Sequence, residues 1–216
     1  MATLSTKGLK LSVSKASATA TTLIPTGISS AKPAVVTVSN SLADGDIIYV
    51  TKTGYPEIDG KYFPVGSASG TSFELVGSDT TSTTGTLDGS PTVSAYAATD
   101  FQEVCASSIT VDNNTPGTVS VATFCDLTGT IPSVVTELGN MTLSVFHDVT
   151  SEGFKLLDAA AEKGDSRIVK IVFPSNSGTM IVPGTFSSFA LVDIPLDGAA
   201  AWEGVLAMST APKLRY

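Results

Sequence analysis

The chain has 216 residues, 12 of them basic and 20 acidic for a net charge of −8, with 42% apolar and only 15% charged positions. That length suits one large domain or two small ones, and the apolar share supports a buried core, which excludes an acidic disordered chain. The acid excess also excludes a surface that grips nucleic acid through clustered Lys and Arg, while permitting one that lets nucleic acid pass without sticking.

β signals dominate from the start. Residues 8–14 alternate apolar and polar side chains, as a strand with one buried face does. The low-complexity stretch 16–22, all small or hydroxyl-bearing, reads as a connector or mobile loop. From 28 to 96 strand candidates crowd together at 33–38, 46–51, 61–65 and 71–76. Turns separate them at 43–46, 54–60 and 66–70, with Pro56, Asp59 and Gly60 as breakers. The Thr-rich stretch 80–94 closes the segment as polar strands or loops. This spacing predicts a compact β barrel or meander.

Residues 103–111 open the second half, Asp112, Asn113, Asn114, Pro116 and Gly117 break it, and 119–127 alternate again. Gly139 and Asn140 precede a strand over 141–147. One segment reads as a helix, 151–163, because Phe154, Leu157, Ala160 and Ala161 share a face at three- and four-residue spacing. Thr150 or Ser151 can cap its start, and Gly164 suits a left-handed stop. A strand over 165–174 and late strands over 178–182, 184–192 and 202–209 follow. A sheet with one helix laid across it is the economical architecture.

Catalytic chemistry finds little material. His147, the one histidine, neighbours Asp148, but adjacent strand residues point to opposite faces, so a plain strand-end histidine is expected. Gly66, Ser67, Ala68, Ser69 and Gly70 carry alanine where a nucleophile elbow needs serine. Gly54 to Lys61 misses the phosphate-loop spacing, and Tyr62 follows the lysine instead of Ser or Thr. Asp44, Asp46, Glu57 and Asp59 are oxygen donors without a calcium-loop pattern and read as acidic turns. Cys105 and Cys125 are too few for a disulfide scaffold and read as two small buried thiols. No signal-peptide pattern occupies residues 1–10 and no apolar run is long enough for a bilayer, so an intracellular origin is expected. Lys7, Lys10 and Lys15 make the first strand basic, either to protect an exposed or edge strand or to meet acids of a neighbouring subunit. Catalytic, cofactor and metal sites are therefore expected to be none.

The ordered set in the second half carries a resemblance: the strand 141–146, the helix 153–163, Gly164, Asp165, Ser166 and Arg167 leading into 168–174, then Gly178, Thr179, 183–188 and a last strand over 202–209. This order over about 75 residues resembles the major tail tube proteins of long-tailed, non-contractile bacteriophages, and 9–13 and 103–128 match that family's first strands more loosely. Residues 34–37, 42–50, 58–65 and 72–77 resemble a small β module of phage structural proteins, similar to the four-cysteine-half-type domain of ubiquitin-activating enzymes. No cysteine stands there, and no ubiquitin chemistry follows.

The resemblance implies a mainly β fold: a tail-tube-type β sandwich or barrel with one packed helix (1–27 and 97–216) and an inserted small β-barrel-like module (28–96). It implies a siphovirus virion protein without enzymatic activity or cofactors, made in the host bacterial cytoplasm and carried in the tail. Its subunits would form hexameric rings stacked into a conduit for DNA ejection. Its partners would be itself, the tape measure, tail terminator and baseplate or tip proteins, with genomic DNA passing unbound. Residues 16–22 and 126–137 would be arms that order on stacking. Lys7, Lys10, Asp165 and Arg167 are the candidate subunit-contact residues, the last two at a helix-to-strand corner in structural ion pairs or subunit contacts. The other reading is a receptor- or carbohydrate-binding β module, for which Tyr49, Tyr55, Tyr62 and Phe63 are the only aromatic cluster. A hydrolase has no support in the residues.

Overall fold

Alternation in the first described segment does what period-two patterning requires: β1 (Lys10–Ser14) buries Leu11 and Val13 and leaves Lys10 exposed. The computed structural model describes residues 9–83, 87, 90–112, 116–121, 129–136, 138–174, 178–193, 200–210 and 212–216, with backbone alone for 116–121 and 129–136. Its architecture is the mainly β sandwich or barrel class with one helix that the sequence predicts, built from curled antiparallel sheets. The chain divides into two compact units, one of residues up to 104 with 168–181 and 212–216, the other of 105–167 with 182–211.

In the first unit, β1 lies antiparallel between β9 (Phe101–Val104) and β14 (Ser166–Val172). It is therefore an interior strand, and the expectation of a lysine-protected edge there is corrected. Residues 21–96 form a sheet of their own. Its strands are β2 (Thr21–Leu23), β3 (Gly27–Ile28), β4 (Ala34–Thr37), β5 (Ile47–Thr51), β6 (Lys61–Gly66), β7 (Ser72–Leu75) and β8 (Thr92–Tyr96). They run in the order β2-β8-β5-β6-β7-β4-β3. The expected connector 16–22 is shorter than predicted, because Thr21 and Thr22 pair with Ala95 and Ser94. Phe63, Phe73, Ile48, Ile58 and Leu75 are fully buried at the centre of this sheet's core.

A second apolar group, Ile47, Phe101, Ile168 and Ile181 with Tyr62 and Tyr96 packed on it, joins that sheet to β9 and β14. Polar ties accompany it. Lys170 Nζ donates to the Gly45 carbonyl at 2.6 Å, and the buried Asp46 accepts from the Ala98 and Ala43 amides at 2.7 and 2.9 Å. The strand β17 (Leu214–Arg215) pairs with Thr179 and Met180 and lays the Arg215 guanidinium over the Phe63 ring at 4.1 Å. Burial lowers the pKa of both Lys170 and Arg215. Gly77 admits this strand: its φ of 73° is left-handed, and a Cβ there would stand 2.9 Å from the Arg215 Cα.

Tyr49 and Tyr62 are register partners across β5 and β6 with ring centroids 4.7 Å apart. Burial first, then Tyr96 and Tyr49, push the Tyr62 phenol up to about 12 from 10.0. The folded state thus holds this proton longer than the unfolded chain does. The contribution is complete below pH 10.0 and is lost as pH climbs towards about 12. Urea melts across that window are expected to show a smaller alkaline loss of stability for Tyr62→Phe than for the parent protein.

In the second unit the sheet order is β10 (Ala106–Val111), β13 (Asn140–Phe146), β16 (Ala201–Met208) and β15 (Thr179–Asp193), the last entering the unit at residue 182. The two late strands expected at 178–182 and 184–192 are one strand. Pro183 does not break it, since its carbonyl still accepts from the Ser209 amide at 2.8 Å. Register shifts at residues 187 and 192 absorb the irregularity. Residues 126–137, expected as a loop, contain the strand β12 (Gly129–Thr136), which pairs with β11 (Pro116–Val121) as a separate two-stranded sheet. Its β-branched Thr130, Ile131, Val134, Val135 and Thr136 supply the strand preference. Residues 122–128 and 137 lie outside the described residues.

The helix α1 (Glu152–Lys163) follows its predicted face, burying Gly153, Phe154, Leu157 and Ala160. Ala161 is only partly buried. Ser151 occupies the N-cap without a side-chain bond, and Gly164 closes the helix at φ 64°, ψ 38°, where its amide meets the Ala160 and Ala161 carbonyls.

Candidate assembly surface

The second unit's sheet has two unlike faces. On one, Met141, Leu143 and Val145 of β13 alternate inward beside Leu206 and Met208 of β16. The helix lies here, its Phe154 ring 5.4 Å from Trp202 and 5.0 Å from Phe189. Gly204 leaves room for Phe189, whose ring would come within 3.3 Å of a Cβ at that position.

The other face follows from register. Ser108, Ser144, Glu203 and Ala190 form one row across the four strands, and Thr110, Thr142, Val205 and Ser188 form the next. Small neutral side chains fill both rows, and Glu203 is their one charge. Ser108 Oγ donates to Ser144 Oγ at 2.9 Å, which donates to Glu203 Oε1 at 3.4 Å. This hydroxyl chain links three strands and ends on the carboxylate. Glu203 was not legible in the sequence, because no local signal separates a face-row acid from any other surface acid.

At the side of this sheet β10 pairs only with β13 among the described residues. Residues 106–111 carry no charge and no proline. Those are the usual devices that keep a sheet edge from adding strands, so this edge is open to a further one.

Lys7 lies outside the described residues, and Lys10 is exposed on β1. Lys15 Nζ donates to the Thr99 carbonyl at 2.9 Å. Asp165 and Arg167 stand at the helix-to-strand corner as an ion pair, Arg167 Nη2 to Asp165 Oδ2 at 2.6 Å. The guanidinium is 7% exposed, and its Nε is buried without a hydrogen-bond partner. The Phe186 amide donates to the Asp165 carbonyl at 3.2 Å, and Ser166 Oγ lies 2.9 Å from Thr185 Oγ1, tying the corner to β15.

The four acids weighed as calcium ligands each have separate work. Asp44 accepts from the Ala68 amide, Asp46 holds Ala43 and Ala98, Asp59 takes the Thr53 amide and hydroxyl, and Glu57 takes the Ser82 and Thr83 hydroxyls. Those hydroxyls lower the pKa of Glu57. Among the described residues no group of three or more His, Cys, Asp or Glu is placed to hold a metal ion. Of the aromatic cluster, Phe63 and Tyr55 are core, with the Tyr55 hydroxyl donating to the Ile28 carbonyl at 3.0 Å. His147 sits just past β13, exposed and stacked on Trp202 at 5.8 Å, while Asp148 accepts from the Thr150 amide and hydroxyl. The buried-thiol expectation fails for Cys105, which is exposed between β9 and β10; Cys125 lies outside the described residues.

A family model for the phage tail tube protein matches residues 53–212. The chain belongs to the phage tail tube protein family. No curated protein matches it. This tail tube protein is thus a structural component of the virion tail, in a family of assembly proteins and not of enzymes, and it assembles with itself and with other tail proteins. The match begins at residue 53, inside the segment 21–96, so it includes strands of that sheet as well as the second unit.

Proposed function

We propose that this tail tube protein forms hexameric rings that stack head to tail into the conduit for DNA ejection in a siphovirus tail. The open, uncharged β10 edge carries this reading, because edge-to-edge addition closes a large barrel and removes the exposed backbone groups. The face whose two adjacent rows carry Glu203 as their one charge suits the lumen wall. A duplex sliding along neutral hydroxyls and an acid releases no counterions and meets no sticking points. Head-to-tail stacking is a heterologous contact and can propagate as an open filament. Lys7, Lys10, Asp165 and Arg167 act at or beside subunit contacts. Tape measure, tail terminator and baseplate or tip proteins define the tube's contents and ends. The subunits are made in the host bacterial cytoplasm. Residues 28–96 form a small β module, inserted into a tube domain of 1–27 and 97–216.

Electron microscopy of the purified chain with tail initiator proteins tests the ring-and-tube reading; a protein that stays monomeric under those conditions rejects it. Glu203→Lys tests the lumen. Tubes of this variant are expected to retain duplex DNA in a salt-sensitive manner, each new phosphate contact adding about 0.9 to the slope of log affinity against log salt. DNA that passes variant and parent tubes equally would place Glu203 elsewhere.

A further inference from the structure

Of the seven large hydrophobic side chains exposed among the described residues, four gather at one end of the second unit's sheet: Phe146, Val149, Leu191 and Val192, between 42% and 58% exposed. Register explains the gathering. Phe146, at the end of β13, and Asp193, at the end of β15, both stand opposite Ala201 at the start of β16. Val149 follows in the turn before α1. On the helix face of this end the rings of His147, Phe154, Phe189 and Trp202 pack with centroids between 5.0 and 5.8 Å apart as an aromatic floor, with Leu191 opposite Trp202, while Phe146 and Asp193 lie on the face that carries Glu203. The Trp202 indole N–H in this floor is buried without an acceptor among the described residues. An apolar surface of this kind, rimmed by Asp148 and Asp193, is what a lone subunit would expose at a cost and an assembly would cover.

We propose that this apolar, acid-rimmed sheet end is a contact with a second copy of the chain and that it seats against the surface carrying Lys10. The proposal rests on the tube reading and deepens it. The protein's cations narrow the choice. Lys15, Lys61 and Lys170 donate to backbone carbonyls, Lys32, Lys155 and Arg167 are in ion pairs, and Arg215 stacks on Phe63. Lys163 ends the helix and faces its negative pole. Lys52 and Lys213 lie outside the strands. Lys10 is exposed on a strand held from both sides, so its charge is presented from a rigid support. Opposite charge around an apolar centre sets orientation and register, and two unlike patches make the heterologous contact that propagates.

A charge exchange in the full chain tests this, with tube formation measured by sedimentation and electron microscopy, and folding checked by thermal melts. Asp193→Lys and Lys10→Glu are each expected to raise the concentration needed for tubes about tenfold, and the two together to restore it. Phe146→Ser with Val192→Ser is expected to raise it about a hundredfold without lowering the melting temperature. Tubes forming as in the parent from the apolar double variant would overturn the contact while leaving the tube reading intact. Loss of tubes without restoration by the exchanged pair would overturn the Lys10 partnership and with it the proposal. A parent chain that forms no tubes with its initiator proteins removes the tube reading and this contact together.

Discussion

Phe73→Ala is expected to remove about 3–5 kcal/mol of folding free energy and to lower the melting of β1, β9 and β14 together with the sheet of residues 21–96. Phe73 is fully buried on β7, opposite Val36, among Phe63, Ile48, Ile58 and Leu75, and an alanine leaves a cavity that a close-packed core fills only in part. The coupling follows from the apolar group around Ile47 and Ile168 and the ties made by Lys170, Asp46 and Arg215, all within one compact unit. Differential scanning calorimetry checks both parts. A separate early transition confined to residues 21–96, with the other strands melting as in the parent, would show that these ties do not couple them.

Asp165→Ala ranks second, at about 2–3 kcal/mol. Removing one partner from a buried ion pair typically costs about 3–5 kcal/mol, because the other charge stays buried without compensation, and the 37% exposure of the Asp165 side chain reduces the figure here. Arg167 cannot readily reach solvent, and its Nε already lacks a partner. Arg167→Met in the same chain removes the stranded charge and keeps apolar volume, so the double variant is expected to be more stable than Asp165→Ala alone. Urea denaturation of the three variants, read as a double-mutant cycle, measures the coupling. Melting and tube formation left unchanged by Asp165→Ala combined with Arg167→Ala would reject both the structural role and the subunit-contact role of this corner.

Much of the fold was legible in the residues. Helix α1 came from side-chain spacing and its stop from Gly164, and β4, β5, β6 and β7 from closely spaced strand candidates set off by turn residues. The corner pair was legible from the motif of the resemblance, though not the inward turn of the guanidinium. Pro183 misled, because a proline that ends a strand in isolation is tolerated where its carbonyl alone is needed. Residues 129–136 misled in the other direction: the resemblance implied an arm over 126–137, yet pairing with β11 decided a strand. For the candidate surface, alternation could propose that one sheet face is polar, but not that Glu203 is the one charge of two adjacent rows, since a row is drawn from four strands far apart in sequence.

By itself the sequence determined the class of structure: β-rich, with one amphipathic helix, an acid excess unsuited to gripping DNA, and the ordered segments of a tail tube protein. Those properties are local or summed, so period, propensity and charge count suffice to read them. Only the tertiary structure decided that β1 is interior, that β10 has one partner strand among the described residues, that Arg167 turns inward while Cys105 stays exposed, and that Phe146 and Val192 are exposed at one end of the second unit's sheet. Each of these depends on which strand lies beside which. Strand pairing is settled by non-local burial and hydrogen bonding, which a one-dimensional pattern does not contain.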